Sequence, residues 1–194
     1  MQQEVHIWVF CGYAGSGKTA AAKLLQAQLD PHTTYTIAFA DAVKDDVAVL
    51  YNLPRPMFDT QEGKASLVKT PDGERTAREL LIDYSLAMKE AHGYDVWAKE
   101  VARNIHNKLE NCAINNVIIH DWRFIAEIET MIREFPKPEF VLHTIRIVRP
   151  SIQSMQIPSE HEIDTYPAEI TLLNNGTIDD LNEKICKILI QSII

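Results

Sequence analysis

Near the start of the chain, the run Gly12-Tyr13-Ala14-Gly15-Ser16-Gly17-Lys18-Thr19 has the spacing G-x-x-x-x-G-K-[ST]. A strand-like apolar run, Val5 to Cys11, precedes it, and a helix-like run, Ala20 to Leu29, follows. That order constrains the fold more than any other feature of the sequence. Glycines allow a turn tight enough for successive backbone N–H groups to face one anion. The helix that follows adds unpaired donors and the positive end of its dipole. Gly12, Ala14, Gly15, Ser16 and Gly17 therefore form a candidate cradle for the phosphates of ATP. Lys18 is placed to bridge the β- and γ-phosphates, and the Thr19 hydroxyl to ligate Mg²⁺.

The rest of the chain supplies what such a loop needs around it. Short apolar runs at Val5–Cys11, Tyr35–Phe39, Asn116–His120, Leu142–Val148 and Glu169–Leu173 alternate with helical patterns. Runs that are nearly continuous in apolar character are expected of strands buried on both faces, which gives a parallel α/β sheet covered on both sides. Helices are expected over Lys18–Leu29 and about Asp41–Tyr51. Thr76 and Glu79 form a capping box for a helix with an inward stripe of Leu80, Leu81, Tyr84, Ala87, Met88 and Ala91, ending at Gly93. Asp95 is expected to cap the next helix, with Trp97, Val101, Ile105 and Leu109 inward. Ile125, Ile128 and Ile132 stripe another helix, and Thr177 caps the last. Between them, Asn52 to Arg75 is rich in Pro, Gly and charge, with little periodicity. A loop above about 12–15 residues in a compact domain is usually functional or disordered, so this one reads as a mobile flap over a substrate.

With 194 residues, 46% of them hydrophobic and 24% charged, the chain suits one globular domain, residues 1–194. A net charge of −8 argues against a general nucleic-acid surface and for a small anionic partner gripped locally. No apolar run approaches the length of a membrane span, and Met1-Gln2-Gln3-Glu4 lacks a basic export signal, so a cytoplasmic location is expected. Cys11, Cys112 and Cys186 have no metal spacing and read as ordinary small hydrophobes.

In an open α/β sheet the ligand sits beyond the carboxyl ends of the strands. Charged residues collect there: Asp41 and Lys44 after the second strand, Asp121 and Arg123 after the third, Arg149 after the fourth. Asp121 ends the apolar run Val117-Ile118-Ile119-His120, an arrangement that can hold Mg²⁺; its structural alternative is a cap on the Ile125 helix. Arg123 suits a bidentate grip on phosphate, and Lys44 and Arg78 are further anion ligands. His120 and His161 are assigned no catalytic role.

Taken together, GYAGSGKT, FADAVKD, TARELL with HGYDVW, IIHDWR, IRIVRPS, SEHEID and LLNNGTIDDL resemble the nucleoside monophosphate kinases, and among them the deoxynucleoside monophosphate kinases of large tailed phages. The resemblance runs from Val5 to about Ile188. It implies a three-layer P-loop NTPase fold: a five-stranded parallel sheet, helices on both faces, the loop-bearing strand central. It also implies an ATP donor and a (deoxy)nucleotide acceptor; apart from the resemblance, a homodimer is an allowed assembly. By that resemblance Lys44, Arg78 and Arg123 hold the acceptor phosphate, Asp41 and Trp97 line its pocket, and Arg149 approaches the donor phosphates. Asn174, Asn175, Gly176 and Thr177 would lie by the adenine. One departure matters: no Arg or Lys occurs between Arg149 and Lys184, so an arginine-rich lid is missing. Two other functions fit the loop. One is a kinase for a hydroxyl acceptor, such as a hydroxymethyl pyrimidine in DNA or a small metabolite, with Asp41 as general base. The other is a nucleotide-dependent switch ATPase.

Overall fold

A computed structural model of the chain describes residues 4–152 and 162–193. At its centre is strand β1 (Val5–Cys11), whose side chains alternate strictly between two cores. Ile7, Val9 and Cys11 point to one face, Trp8 and Phe10 to the other, and all five are fully buried. A strand with no solvated face must sit inside a sheet covered on both sides. That sheet has five parallel strands in the order β2 (Thr34–Ile37), β5 (Asn116–Trp122), β1, β6 (Phe140–Val148), β7 (Ile170–Leu173).

Helices α1 (Lys18–Gln28) and α7 (Ile178–Ile193) cover one face, burying Ala21, Leu25, Leu181 and Ile185 against Trp8, Phe10 and Ile145. Helices α5 (Val96–Asn111) and α6 (Ile125–Glu134) cover the other, where Val101, Ile105, Ile128 and Met131 meet Ile7, Val9 and Ile119. The expected three-layer α/β fold with a central loop-bearing strand is thus the fold observed. Among the described residues no helix is long and apolar enough to cross a membrane.

A third core stands apart from the sheet. Helices α2 (Phe39–Leu50) and α4 (Ala77–His92) bury Val43, Val47 and Leu80 against Phe58, Val68 and Trp97. Phe58 and Val68 come from the 52–75 segment, which is not the structureless loop that its sequence suggests. It forms a 3₁₀ turn (Arg55–Asp59), a short helix α3 (Gln61–Ala65) and an antiparallel hairpin, β3 (Leu67–Thr70) with β4 (Gly73–Thr76). Each piece is shorter than the window in which a hydrophobic period becomes visible.

Several boundaries and stripes differ from expectation for identifiable reasons. The second strand stops at Ile37, and α2 begins at Phe39 rather than Asp41, because side-chain carboxylates take the N–H groups of Ala38, Phe39 and Ala40. On α4 the inward stripe is narrower than expected: Ala87 and Ala91 are exposed, while Lys89 is buried with its ammonium 3.6 Å from the centre of the Phe124 ring. Asp95 occupies the N-cap position of α5 but makes no cap bond; its carboxylate pairs with Lys99 at 3.0 Å and Arg133 at 3.6 Å. On α6, Ile132 is exposed and Met131 fills the core instead. The capping box at Thr76 and the cap at Thr177 form as expected, the latter with Asp180 returning the bond.

One buried polar feature escapes the pattern. His6 on β1 and His143 on β6 stack at 5.4 Å, their ring nitrogens 3.1 Å apart, with Trp8 stacked on His143 at 4.1 Å. Burial pushes the His143 imidazole down to about 4, and the neighbouring His6 and Lys137 charges add to the effect. A histidine held neutral in the folded state stabilises above the ordinary value of 6.5, and that contribution is lost as pH falls from 6.5 towards 4. Urea unfolding at pH 7 and pH 5 should therefore show a stability loss on acidification that shrinks in His143→Asn. An unchanged pH dependence in that variant would remove the histidine pair as the cause.

Candidate active site

The glycine-rich loop leaves β1 at Cys11 and enters α1 at Lys18 in a shape that only its glycines permit. Gly12, Gly15 and Gly17 have φ values of 136°, 79° and 105°. A Cβ on Gly12 would lie 2.3 Å from the Ile147 carbonyl oxygen, and one on Gly17 would lie 2.4 Å from the Asn174 amide nitrogen. Lys18 curls back over the loop, donating from Nζ to the carbonyls of Gly12 at 2.7 Å and Tyr13 at 2.8 Å. The Ser16 hydroxyl is buried with no hydrogen-bond partner among the described residues. Ala14 is half-buried, while Gly15 and Thr19, the latter in the first turn of α1, are exposed.

Of the four residues expected beside a base, two have structural duties. Asn174 donates from its side chain to the Ser16 carbonyl at 2.8 Å and from its backbone to Val148 at 2.7 Å, fastening the loop to the end of the sheet. Thr177 donates from its N–H and hydroxyl to Asp180 and accepts from the Asp180 N–H, capping α7. Asn175 and Gly176 are exposed between them.

Against the other side of the loop lies a cavity of about 230 Å³, bounded by Gly12, Tyr13, Ser16, Arg149, Ile152 and Asp164. Arg149 makes no side-chain hydrogen bond or ion pair among the described residues, so its guanidinium is uncommitted beside the phosphate loop. The Tyr13 hydroxyl donates to Asp164 at 2.7 Å, and Arg146 donates to the carbonyls of Ile163 and Tyr166, both at 2.6 Å. This strap from the loop to residues 163–166 was not anticipated. Its one sequence signal is Arg146, a charge inside the apolar strand IRIV. Cys11 faces Arg146, but burial pushes its thiol up to about 11, which leaves it protonated and inert.

The remaining candidates gather on the β2–β5 side. Cys11 pairs with Trp122 across β1 and β5, so Gly12 and Arg123 leave adjacent strands at the same level. Asp121 does not cap the Ile125 helix. Its two oxygens accept from the backbone N–H groups of Phe39 at 2.7 Å and Ala40 at 3.0 Å, capping α2 across the sheet. The carboxylate below α6 is Glu127, which accepts from the N–H groups of Arg123 at 2.8 Å and Phe124 at 3.1 Å. Burial raises its carboxyl to about 8, and the Asp121 charge adds to this.

Asp41 is equally occupied. One oxygen accepts from Ala38 N–H at 2.9 Å; the other receives Lys44 at 3.1 Å and Arg55 at 3.0 Å. Lys44 also reaches Asp59 at 3.1 Å, and Arg55 pairs with Asp45 and Asp59. Lys44 is therefore neutralised within an ionic cluster of α2 and the 3₁₀ turn. Arg78 and Arg123 are not. Arg78 donates only to the neutral Gln61, at 2.6 Å, and Arg123 is exposed with no side-chain partner among the described residues. Lys64 on α3, which the sequence reading passed over, adds its charge to this group. Burial lowers its amine from the ordinary range, and the charges of Lys44, Arg78 and Arg123 lower it further. Trp97 is buried in the third core against Tyr84, with its indole N–H unpaired. His120 is half-buried on β5, and His161 lies outside the described residues.

No family model matches the sequence, and no curated protein does. Among solved structures the chain is similar to an unliganded sugar kinase from Janibacter sp. HTCC2649, with 14% identity over 96% of this chain and 94% of that one, at a TM-score of 0.46. It is also similar to shikimate kinase from Acinetobacter baumannii in complex with shikimate (14% identity, 98% and 96% coverage, TM-score 0.46). A third is the APS kinase of Mycobacterium tuberculosis in complex with AMPPNP and APS (12% identity, 97% and 99% coverage, TM-score 0.42).

Proposed function

We propose that the chain is an ATP-dependent phosphotransferase whose acceptor is the phosphate of a (deoxy)nucleoside monophosphate. The observation that carries the reading is the state of charge across the site. Among the described residues, Arg123, at the strand end next to the glycine-rich loop, and Arg78, which donates to the neutral Gln61, have no carboxylate on either guanidinium. An acceptor phosphate brings its own nucleophilic oxygen, so the protein must align two anions and neutralise their repulsion. Lys18, Arg123 and Arg149 suit that task. A hydroxyl acceptor needs a positioned base instead. Asp41, the residue named for that role, has both oxygens engaged by Ala38, Lys44 and Arg55, which favours the phosphate acceptor.

Among the described residues no cluster of three metal-ligating side chains exists. That suits a Mg²⁺ ion held chiefly by phosphate oxygens and water. Thr19 and Asp121 would be its protein contacts, the carboxylate through lone pairs not used by Phe39 and Ala40. When bound, the ion would supply neutralisation of the charge on the transferred phosphate. The 52–75 segment is proposed to close over the acceptor, since it carries Lys64 and Gln61 beside Arg78. Limited proteolysis should cut it first in the free protein and spare it when a bisubstrate analogue is bound. Equal cleavage in both states would count against closure.

The direct test is ATP–Mg²⁺ turnover with and without a panel of ribo- and deoxyribonucleoside monophosphates. Turnover should be nearly silent until an accepted monophosphate is added. Full hydrolysis by the protein alone would point to a switch ATPase, and silence with every monophosphate would remove the acceptor assignment.

A further inference from the structure

We propose that Lys64 is an acceptor-anion ligand, completing with Arg78 and Arg123 a three-cation pocket for a phosphate dianion; this rests on the acceptor side proposed above. Helix α3 has no buried residue of its own, so packing alone does not explain its placement. Two local contacts nevertheless fix it. Thr60 caps it by accepting from Gly63 N–H at 3.0 Å, and Gly63 lies so close to the 3₁₀ turn that a Cβ there would be 2.1 Å from the Met57 carbonyl oxygen. Gln61, at its start, receives Arg78 from α4 at 2.6 Å. Lys64 follows Gln61 by three residues and shares its helix face.

The result is an arrangement that costs free energy while empty. Among the described residues Lys64 and Arg123 make no side-chain hydrogen bond or ion pair, and Arg78 has only the neutral Gln61. Asp59, the acidic neighbour of Lys64, already serves Lys44 and Arg55. Like charges gathered without a counter-charge repel, and a bound dianion converts that repulsion into attraction. The missing arginine-rich lid after the fourth strand is then offset by a lysine from the segment before α4. Lys44, half-buried between two carboxylates, instead anchors the 3₁₀ turn from which α3 springs.

Two experiments test this. With an accepted monophosphate, Lys64→Met should raise the acceptor KM about tenfold or more, the loss expected for one charge-assisted hydrogen bond. The ATP KM should change less than about twofold, and Lys64→Arg should restore most of the acceptor affinity. An unchanged acceptor KM in an active Lys64→Met variant overturns the inference and leaves the kinase reading standing. The second experiment does not depend on activity. In a Lys18→Ala background, inorganic sulfate should slow acylation of the Lys64 amine, read by peptide mass spectrometry, because a bound dianion shields the amine and keeps it protonated. Protection in that background, with no turnover of any monophosphate by the unsubstituted protein, would keep the anion pocket while removing the acceptor assignment. Acylation of Lys64 that saturating sulfate leaves unaltered would overturn the inference outright.

Discussion

Lys18→Ala is expected to lower turnover by at least a hundredfold, the scale of about 2.7–4 kcal/mol seen when one preorganised transition-state donor is removed. The fold should persist. Lys18 is half-buried, its aliphatic stem belongs to neither face of the core, and its ammonium bonds carbonyls of its own loop, those of Gly12 and Tyr13. A substitution in this loop, outside both cores, should move the melting temperature by no more than about 2–4 °C in a domain of this size. Near wild-type turnover by a folded Lys18→Ala protein would sink the nucleotide-site reading altogether.

Arg123→Ala against Asp41→Asn is expected to separate the two acceptor chemistries. Arg123 is exposed and without an internal partner, so its removal should leave stability intact while acceptor affinity and turnover both fall, each about tenfold to a hundredfold. Asp41→Asn should act differently. The amide loses the charge that holds Lys44 and Arg55 and weakens the cap on Ala38, so stability should drop by about 1 kcal/mol, with a milder effect on turnover. A monophosphate acceptor has no proton that Asp41 must remove. If instead the Asp41→Asn rate collapses and recovers steeply at high pH, hydroxide is replacing a missing base, and the acceptor is an alcohol.

Much of the architecture was legible because it is written in local patterns. All five sheet strands fall within two residues of their expected ends, since strands buried on both faces read as unbroken apolar runs. The loop, the Thr76 cap and the Gly93 stop were equally clear, each being a demand of backbone geometry on one or two residue types. Where a stripe failed, at Ile132, Ala87 or Ala91, the cause was a neighbour that only the packed molecule supplies. Lys89 turns inward because the Phe124 ring is there to receive it.

The site divides along the same line. The sequence by itself determined that a glycine-rich loop joins an apolar strand to a helix, with charged residues at the neighbouring strand ends, because those follow from spacing along one chain. Only the tertiary structure decided which of those charges are available to a ligand. Asp121 and the Phe39 N–H that it caps stand 82 residues apart, and the Asp164 that fastens Tyr13 is 151 residues from it. Lys44 and Lys64 are both lysines in charged surroundings on paper. One is neutralised by Asp41 and Asp59, while the other is left among cations, because charge compensation is set by distance in space.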